Sequence, residues 1–263
     1  MALTYSSYLK VDELLALQES LSGGKAHDEM LFIIVHQAYE LWFKETLYEL
    51  DRLRDLLDAP DHGQAQLTLR RLSAIMKVLL AQVSVLETML PLGFLAFRDL
   101  LGTASGFQSV QFREVEFALG HKRHEIWHHL PEDSDARRRL EKRYRQPAIW
   151  DAFLAGLARS GHAVPDGLLD RDFTRPVTPS PEVQRMLLDI YSSSPGLVCL
   201  CEMLLDIDQG FQEWRYRHLK MVERMIGEKH GTGGSEGVGY LKTTLFKPFF
   251  PDLWAIRSEF QGP

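Results

Sequence analysis

The chain has 263 residues, 45% of them hydrophobic and 25% charged, with a formal net charge of −6. That length buries a substantial core, the balance is that of a globular protein, and the acidic excess argues against nucleic acid as the main partner. Two cysteines, Cys199 and Cys201, stand one residue apart, outside any CxxC or CxxCH pattern and badly spaced for a mutual disulfide. Such usage points to a reducing, cytoplasmic setting. The opening MALTYSSYLKVDELL lacks the basic and apolar regions of a signal peptide, and no continuous apolar run suggests a membrane span. The expectation is one domain over residues 1–263.

In chain order the periodicity predicts helix after helix. A short amphipathic helix covers 8–21. A long one covers 27–57 and opens with Asp28 and Glu29, where the helix dipole favours acids. A third covers 65–89, with Leu69, Leu72, Ile75, Val78 and Leu79 on one face. Further helices cover 108–120 and 137–159, the latter with a break near Pro147. The basic run from Arg137 to Arg145, interleaved with Glu141, reads as a solvated helix face. Residues 161–181 carry four prolines and read as an irregular loop. Helices follow over 182–191 and 197–227, with a last short turn over 249–256. Strand patterns are scarce, and no internal repeat is present. The fold class is all-α, a bundle of long helices.

Two of these helices carry histidines where apolar residues belong. On the 197–227 helix, Leu204, Ile207, Phe211, Trp214, His218, Met221 and Met225 recur at three- and four-residue spacing, which is one helix face. His218 therefore points inward, and a buried imidazole must be hydrogen-bonded or must bind something. On the 27–57 helix, Phe32, His36, Tyr39 and Phe43 share one face, while Leu31, Ile34, Ala38 and Leu41 share another. A helix apolar on most sides is central in its bundle, so His36 is a second interior histidine. One reading is a pair of unrelated core histidines. The other is a cofactor between helices, and a haem held by His218 with His36 opposite fits it.

The segment after His218 adds a second signal. Residues 231–239 read GTGGSEGVG, five glycines in nine positions. A helix cap and turn account for one or two of them. The rest imply positive φ angles or a close backbone approach, with hydroxyls on Thr232 and Ser235. No Gly-Lys-Ser/Thr follows, and the third glycine of GxGxxG is Glu236, so neither a phosphate loop nor a dinucleotide fingerprint is present. A competing metal site is His27-Asp28-Glu29, whose His-x-Glu is part of a two-histidine, one-carboxylate non-haem iron pattern. HExxH does not occur.

On these segments the sequence resembles the tryptophan 2,3-dioxygenases. The resemblance is dense over LTYSSYLKVDELL, HDEMLFIIVHQAYELWFKETLYEL, LETMLPLGFLAFRDLLGTASGFQSVQFREVEFALG and WRYRHLKMVERMIGEKHGTGGSEGVGYL. It fades between about 121 and 200. It implies a helical haem b protein with O₂ as co-substrate, a homotetramer in the cytoplasm. The implied reaction inserts both oxygen atoms across the indole C2–C3 bond of L-tryptophan, giving N-formylkynurenine in tryptophan catabolism by the kynurenine pathway. His218 matches the proximal iron ligand, and His36 the distal catalytic histidine that bonds the indole N–H. Arg98 matches the clamp on the substrate carboxylate, and Thr232 the residue at the ammonium and carboxylate end. Phe32 matches an aromatic against the indole, and Ser105 a hydroxyl beside the haem. Tyr5 and Tyr8 match tyrosines lent to a neighbouring subunit's site.

Three departures stand out. Phe94 occupies a position where some members carry a tyrosine. Glu236 replaces a smaller loop residue, and the N-terminal arm is short. The same first-contact residues suit a related monooxygenase acting on tryptophan or a methylated tryptophan in secondary metabolism. A haem sensor without turnover fits less well, because a gas sensor needs no amino-acid clamp.

Overall fold

A computed structural model describes residues 2–58, 62–124, 126, 130–229, 231–232 and 237–260. Thirteen α-helices and several 3₁₀ turns are found among them, with no strand. The first two helices, α1 (Tyr5–Leu9) and α2 (Val11–Leu15), meet at Lys10, whose φ of 55° breaks the continuous 8–21 helix expected from periodicity. Then come α3 (His27–Asp58), α4 (His62–Leu86), α5 (Pro91–Arg98), α6 (Val110–Leu119), α7 (Asp135–Arg145) and α8 (Ile149–Arg159). The predicted 137–159 helix is thus two helices parted at Pro147. The one-turn α9 (Asp166–Leu169) lies within the expected irregular loop, and α10 (Pro181–Ser193), α11 (Pro195–Ile226), α12 (Val238–Thr243) and α13 (Pro251–Ala255) complete the order.

The frame is three long helices. α4 packs along both α11 and α3, and α3 also carries α6 and α8. α3 and α11 have 32 residues each, so each spans about 48 Å. The predicted stripe of α11 is borne out: Leu204, Ile207, Phe211, Trp214 and Met225 are buried. On α4, Leu69, Leu72, Ile75 and Leu79 are buried, whereas Val78 turns outward. α3 departs from expectation. Its second apolar face is only partly covered: Leu31 packs against the core, but Ile34 is 48% and Leu41 54% exposed.

Polar groups close the helix ends. Ser109, Ser134 and Ser180 accept from backbone N–H groups at the starts of α6, α7 and α10. The basic run on α7 is only partly a solvated face. Arg143 forks onto Asp51 of α3, and Arg139 reaches the buried Glu114 of α6, so α7 is stitched to the bundle. Both cysteines are free. No single helix among the described residues is long and apolar enough to cross a membrane; α4 and α5 reach that length and composition only as a pair bent by 90°.

Candidate active site

A cavity of about 580 Å³ opens where α3, α5, α6, α11 and α12 converge with the 101–109 segment. Its walls are mainly apolar, with Leu86, Met89, Leu101, Met221, Val222, Met225 and Ile226 among them. Both predicted histidines line it, as do Phe32, Arg98, Ser105 and Thr232.

His36 comes from the middle of α3. Its Nδ1 lies 2.7 Å from the Phe32 carbonyl oxygen, one turn earlier. A carbonyl only accepts, so Nδ1 carries the proton and Nε2 keeps its lone pair. Burial lowers the pKa of this imidazole, outweighing the Phe32 carbonyl and the Glu40 carboxylate, which act the other way. The ring is thus neutral at pH 7, and its remaining function is as an acceptor. Phe32 packs on it with centroids 4.0 Å apart, and Phe94 and Phe97 pack behind Phe32.

His218 comes from α11. Burial pushes its pKa down to about 4, with His36 and Arg113 adding to the shift. His36 acts on His218 because the two line one cavity. No hydrogen bond to either His218 ring nitrogen is present among the described residues, so the side acceptor expected of a ligand histidine is not seen there. The ring lies parallel to Trp214, at 9° and 5.4 Å between centroids. A neutral imidazole with an available lone pair in an apolar cavity has the chemistry to hold a metal.

Arg98 ends α5 and lines the cavity with Phe94, which has no hydroxyl to help it. The Thr232 hydroxyl donates to Ala104 O at 2.5 Å, tying the start of the glycine segment to the 101–109 segment. Of the five glycines, Gly237 has a positive φ of 56°, and Gly239 lies inside α12. Gly233, Gly234, Ser235 and Glu236 lie outside the described residues. The Ser105 hydroxyl lines the cavity but accepts from Phe107 N, capping a 3₁₀ turn. Tyr5 and Tyr8 do not line the cavity of their own chain. They sit on α1 at 77% and 70% exposure.

The His27-Asp28-Glu29 alternative is not supported. Glu29 accepts from Ser20 Oγ at 2.5 Å, Leu21 N at 2.8 Å and Ser22 N at 2.9 Å. These bonds, led by Ser20, hold its carboxyl near 2. It fastens the loop before α3. No cluster of three metal-ligating His, Cys, Asp or Glu residues is found among the described residues.

One group beside the cavity escaped sequence reasoning. Glu116 of α6 is buried and receives Arg113, Arg123 and Arg215 together. Burial raises its carboxyl, but the three guanidinium groups outweigh that and hold it near 2. His121 lies 3.0 Å from Arg215 and is pushed down to about 4, chiefly by burial and then by Arg215. Three cations against one anion leave an excess of positive charge at this end of the cavity, where Arg113, Glu116 and Arg215 form the wall. The only available signal was charge at core spacing in FREVE.

The fold and the site together define an all-α protein with an apolar chamber between long helices, two neutral histidines in its walls and cations at its edge. The chain belongs to the tryptophan 2,3-dioxygenase family, whose profile matches residues 1–167 and 175–260. That match runs through most of the 121–200 stretch where the motif resemblance thins. Similar proteins include the tryptophan 2,3-dioxygenase of Herpetosiphon aurantiacus, 56% identical over 98% of both chains. That of Anaeromyxobacter sp. is 48% identical over 98% of this chain and 96% of its own, and that of Caulobacter vibrioides 42% identical over 98% of both.

Proposed function

We propose that this chain is a haem-dependent L-tryptophan 2,3-dioxygenase, a single helical domain that converts L-tryptophan and O₂ to N-formyl-L-kynurenine in the cytoplasm. The observation that carries the reading is the pairing of His36 and His218 in one apolar cavity with Arg98 in its wall. The donor set fits haem b: an unengaged neutral imidazole for iron, apolar walls for a macrocycle, and Arg113 in a surplus of cations for its carboxylates.

When bound, haem would supply the redox chemistry that O₂ requires. His218 would hold the iron, since burial keeps its imidazole neutral with one ring nitrogen free to ligate. Nε2 of His36 accepts the indole N–H, because the proton on Nδ1 is already committed to Phe32 O. Arg98 pairs with the substrate carboxylate, where a planar fork of donors is the matching chemistry. Thr232 serves the ammonium and carboxylate end, and its bond to Ala104 O brings two segments together over the substrate. Phe32 packs against the indole and, with Phe94 and Phe97, excludes water. Ser105 contributes a hydroxyl beside the haem. The site's selectivity follows from His36: a phenylalanine side chain would leave a buried acceptor unpaired. Tyr5 and Tyr8 complete the site of a neighbouring subunit in a homotetramer.

The test is the mass of the product formed by haem-loaded, reduced protein from L-tryptophan under ¹⁸O₂. Two labelled oxygens are expected. One labelled oxygen, or turnover only with an added reductant or peroxide, would overturn the dioxygenase reading. In parallel, His218→Ala is expected to lose haem and activity together, and full haem occupancy in that variant would remove His218 as the ligand.

A further inference from the structure

We propose that Trp214 is a positioning residue for His218, fixing the plane of its imidazole by stacking instead of by a hydrogen bond. The proposal rests on the reading of His218 as the haem ligand.

The two cavity histidines are held in different ways. His36 is pinned by its Nδ1 to Phe32 O at 2.7 Å. His218 makes no such bond among the described residues. The torsion that turns an imidazole about its Cβ–Cγ bond is broad, so without a neighbour the ring plane is loosely set. A ligand histidine ordinarily gains its orientation from an acceptor on the second nitrogen. Here the neighbour is an indole. Trp214 stands four residues before His218 on α11, which places both on one face. The two rings lie 9° from parallel with centroids 5.4 Å apart, an offset stack.

Trp214 is itself clamped from two other helices. Tyr39 and Phe43 of α3 meet it edge-on, at 6.0 and 6.4 Å, and Phe112 of α6 lies 5.2 Å away. Its buried indole N–H faces the Tyr39 hydroxyl oxygen, whose own proton goes to Leu79 O. The N–H turns toward α3 while the ring lies parallel to His218. Tyr39, Phe43 and Phe112 fix the indole, and α3 and α6 thereby set the attitude of a ligand carried by α11.

The experiment is resonance Raman spectroscopy of the ferrous haem-loaded protein, reading the iron–imidazole stretch, with haem affinity measured by titration of the apoprotein. Wild type is expected to show the band and His218→Gly to lose it. Persistence of the band in His218→Gly would refute the ligand reading, and the proposal with it. With the ligand established, Trp214→Leu is expected to shift and broaden the band. Its haem affinity should fall roughly two- to tenfold, the worth of one aromatic pair. Trp214→Phe, which keeps a ring to stack, is expected to stay near the wild-type position. Phe112→Leu leaves both stacked rings in the chain, and by loosening the clamp on Trp214 it should broaden the band even if Trp214→Leu fails to fold. Wild-type band position and width in Trp214→Leu, or in Phe112→Leu where the former does not fold, would overturn the proposal.

Discussion

At the scale of single residues, Arg98 and Glu116 do opposite work with the same chemistry. Arg98 stands in the wall of the cavity and is assigned an anion from outside. Replacing it with alanine removes a charge partner in a desolvated site, a loss of about 2–5 kcal/mol. The kcat/KM for L-tryptophan is therefore expected to fall roughly 30-fold or more. Binding of tryptamine, which lacks the carboxylate, should change little; an equal loss for both ligands would remove Arg98 as the clamp. Glu116 is an anion from inside, holding three arginines together. Glu116→Gln leaves Arg113, Arg123 and Arg215 facing one another without the carboxylate that joins them. The expected destabilisation is about 3–5 kcal/mol, read as a lowered urea midpoint; an unchanged midpoint would show that solvent or another group neutralises them. His218 and His36 were legible because polar residues on an apolar helical stripe break a pattern. Arg113 and Glu116 were not, because charges in a ten-residue helix look like its solvent face until a third helix, bearing Arg215, covers them.

At the scale of elements, long periodic helices were readable and short ones were not. α3, α4 and α11 follow the expected bounds within a few residues, since many turns of amphipathic sequence reinforce one another. α5 has only eight residues, begins at a proline and contains a glycine, and α12 is hidden behind glycines; both nonetheless supply cavity residues. The α6–α7 junction shows how such short pieces are fixed. Lys122 is 3% exposed, and its Nζ donates to Arg143 O at 2.8 Å and Gln146 O at 2.9 Å, closing the end of α7. Burial pushes its pKa from 10.5 down to about 7; Asp151 opposes this, while Arg171, Arg143 and Arg54 reinforce it. A neutral amine still has two N–H donors for the two carbonyls. Between about pH 7 and 10.5 the unfolded chain binds a proton here that the folded chain does not, so the contribution of Lys122 rises with pH in that window and is lost as pH falls through 7. Denaturation midpoints of wild type and Lys122→Met, compared from pH 7 to 10, should diverge in favour of wild type as pH rises. Parallel curves would show that Lys122 keeps its ordinary pKa.

At the scale of the whole molecule, the chain exposes apolar surface that its own core does not cover. α1 and α2 present Tyr5, Tyr8, Leu9, Leu14 and Leu15 to solvent. On α3, Ile34, Leu41 and Tyr48 recur every seven residues on the face away from the cavity, all exposed. Apolar side chains exposed at regular spacing on one helix face are the kind of surface that serves as a contact. The sequence pattern predicted a helix buried on most sides, and the difference is resolved if a second copy covers that face, which periodicity alone cannot distinguish from the chain's own core. The proposed exchange of tyrosines between subunits gives this a direct test. Tyr8→Ala is expected to bind haem but turn over L-tryptophan poorly, and His218→Ala is expected to be inactive for lack of haem. Mixed under conditions that allow subunit exchange, the two variants should regain activity. A chain with an intact His218 then receives Tyr8 from a neighbour that has lost its own haem. Full activity of Tyr8→Ala alone would show that the tyrosine serves no site. A mixture no more active than its parts, with subunit exchange confirmed by mass, would show that each cavity is completed within one chain.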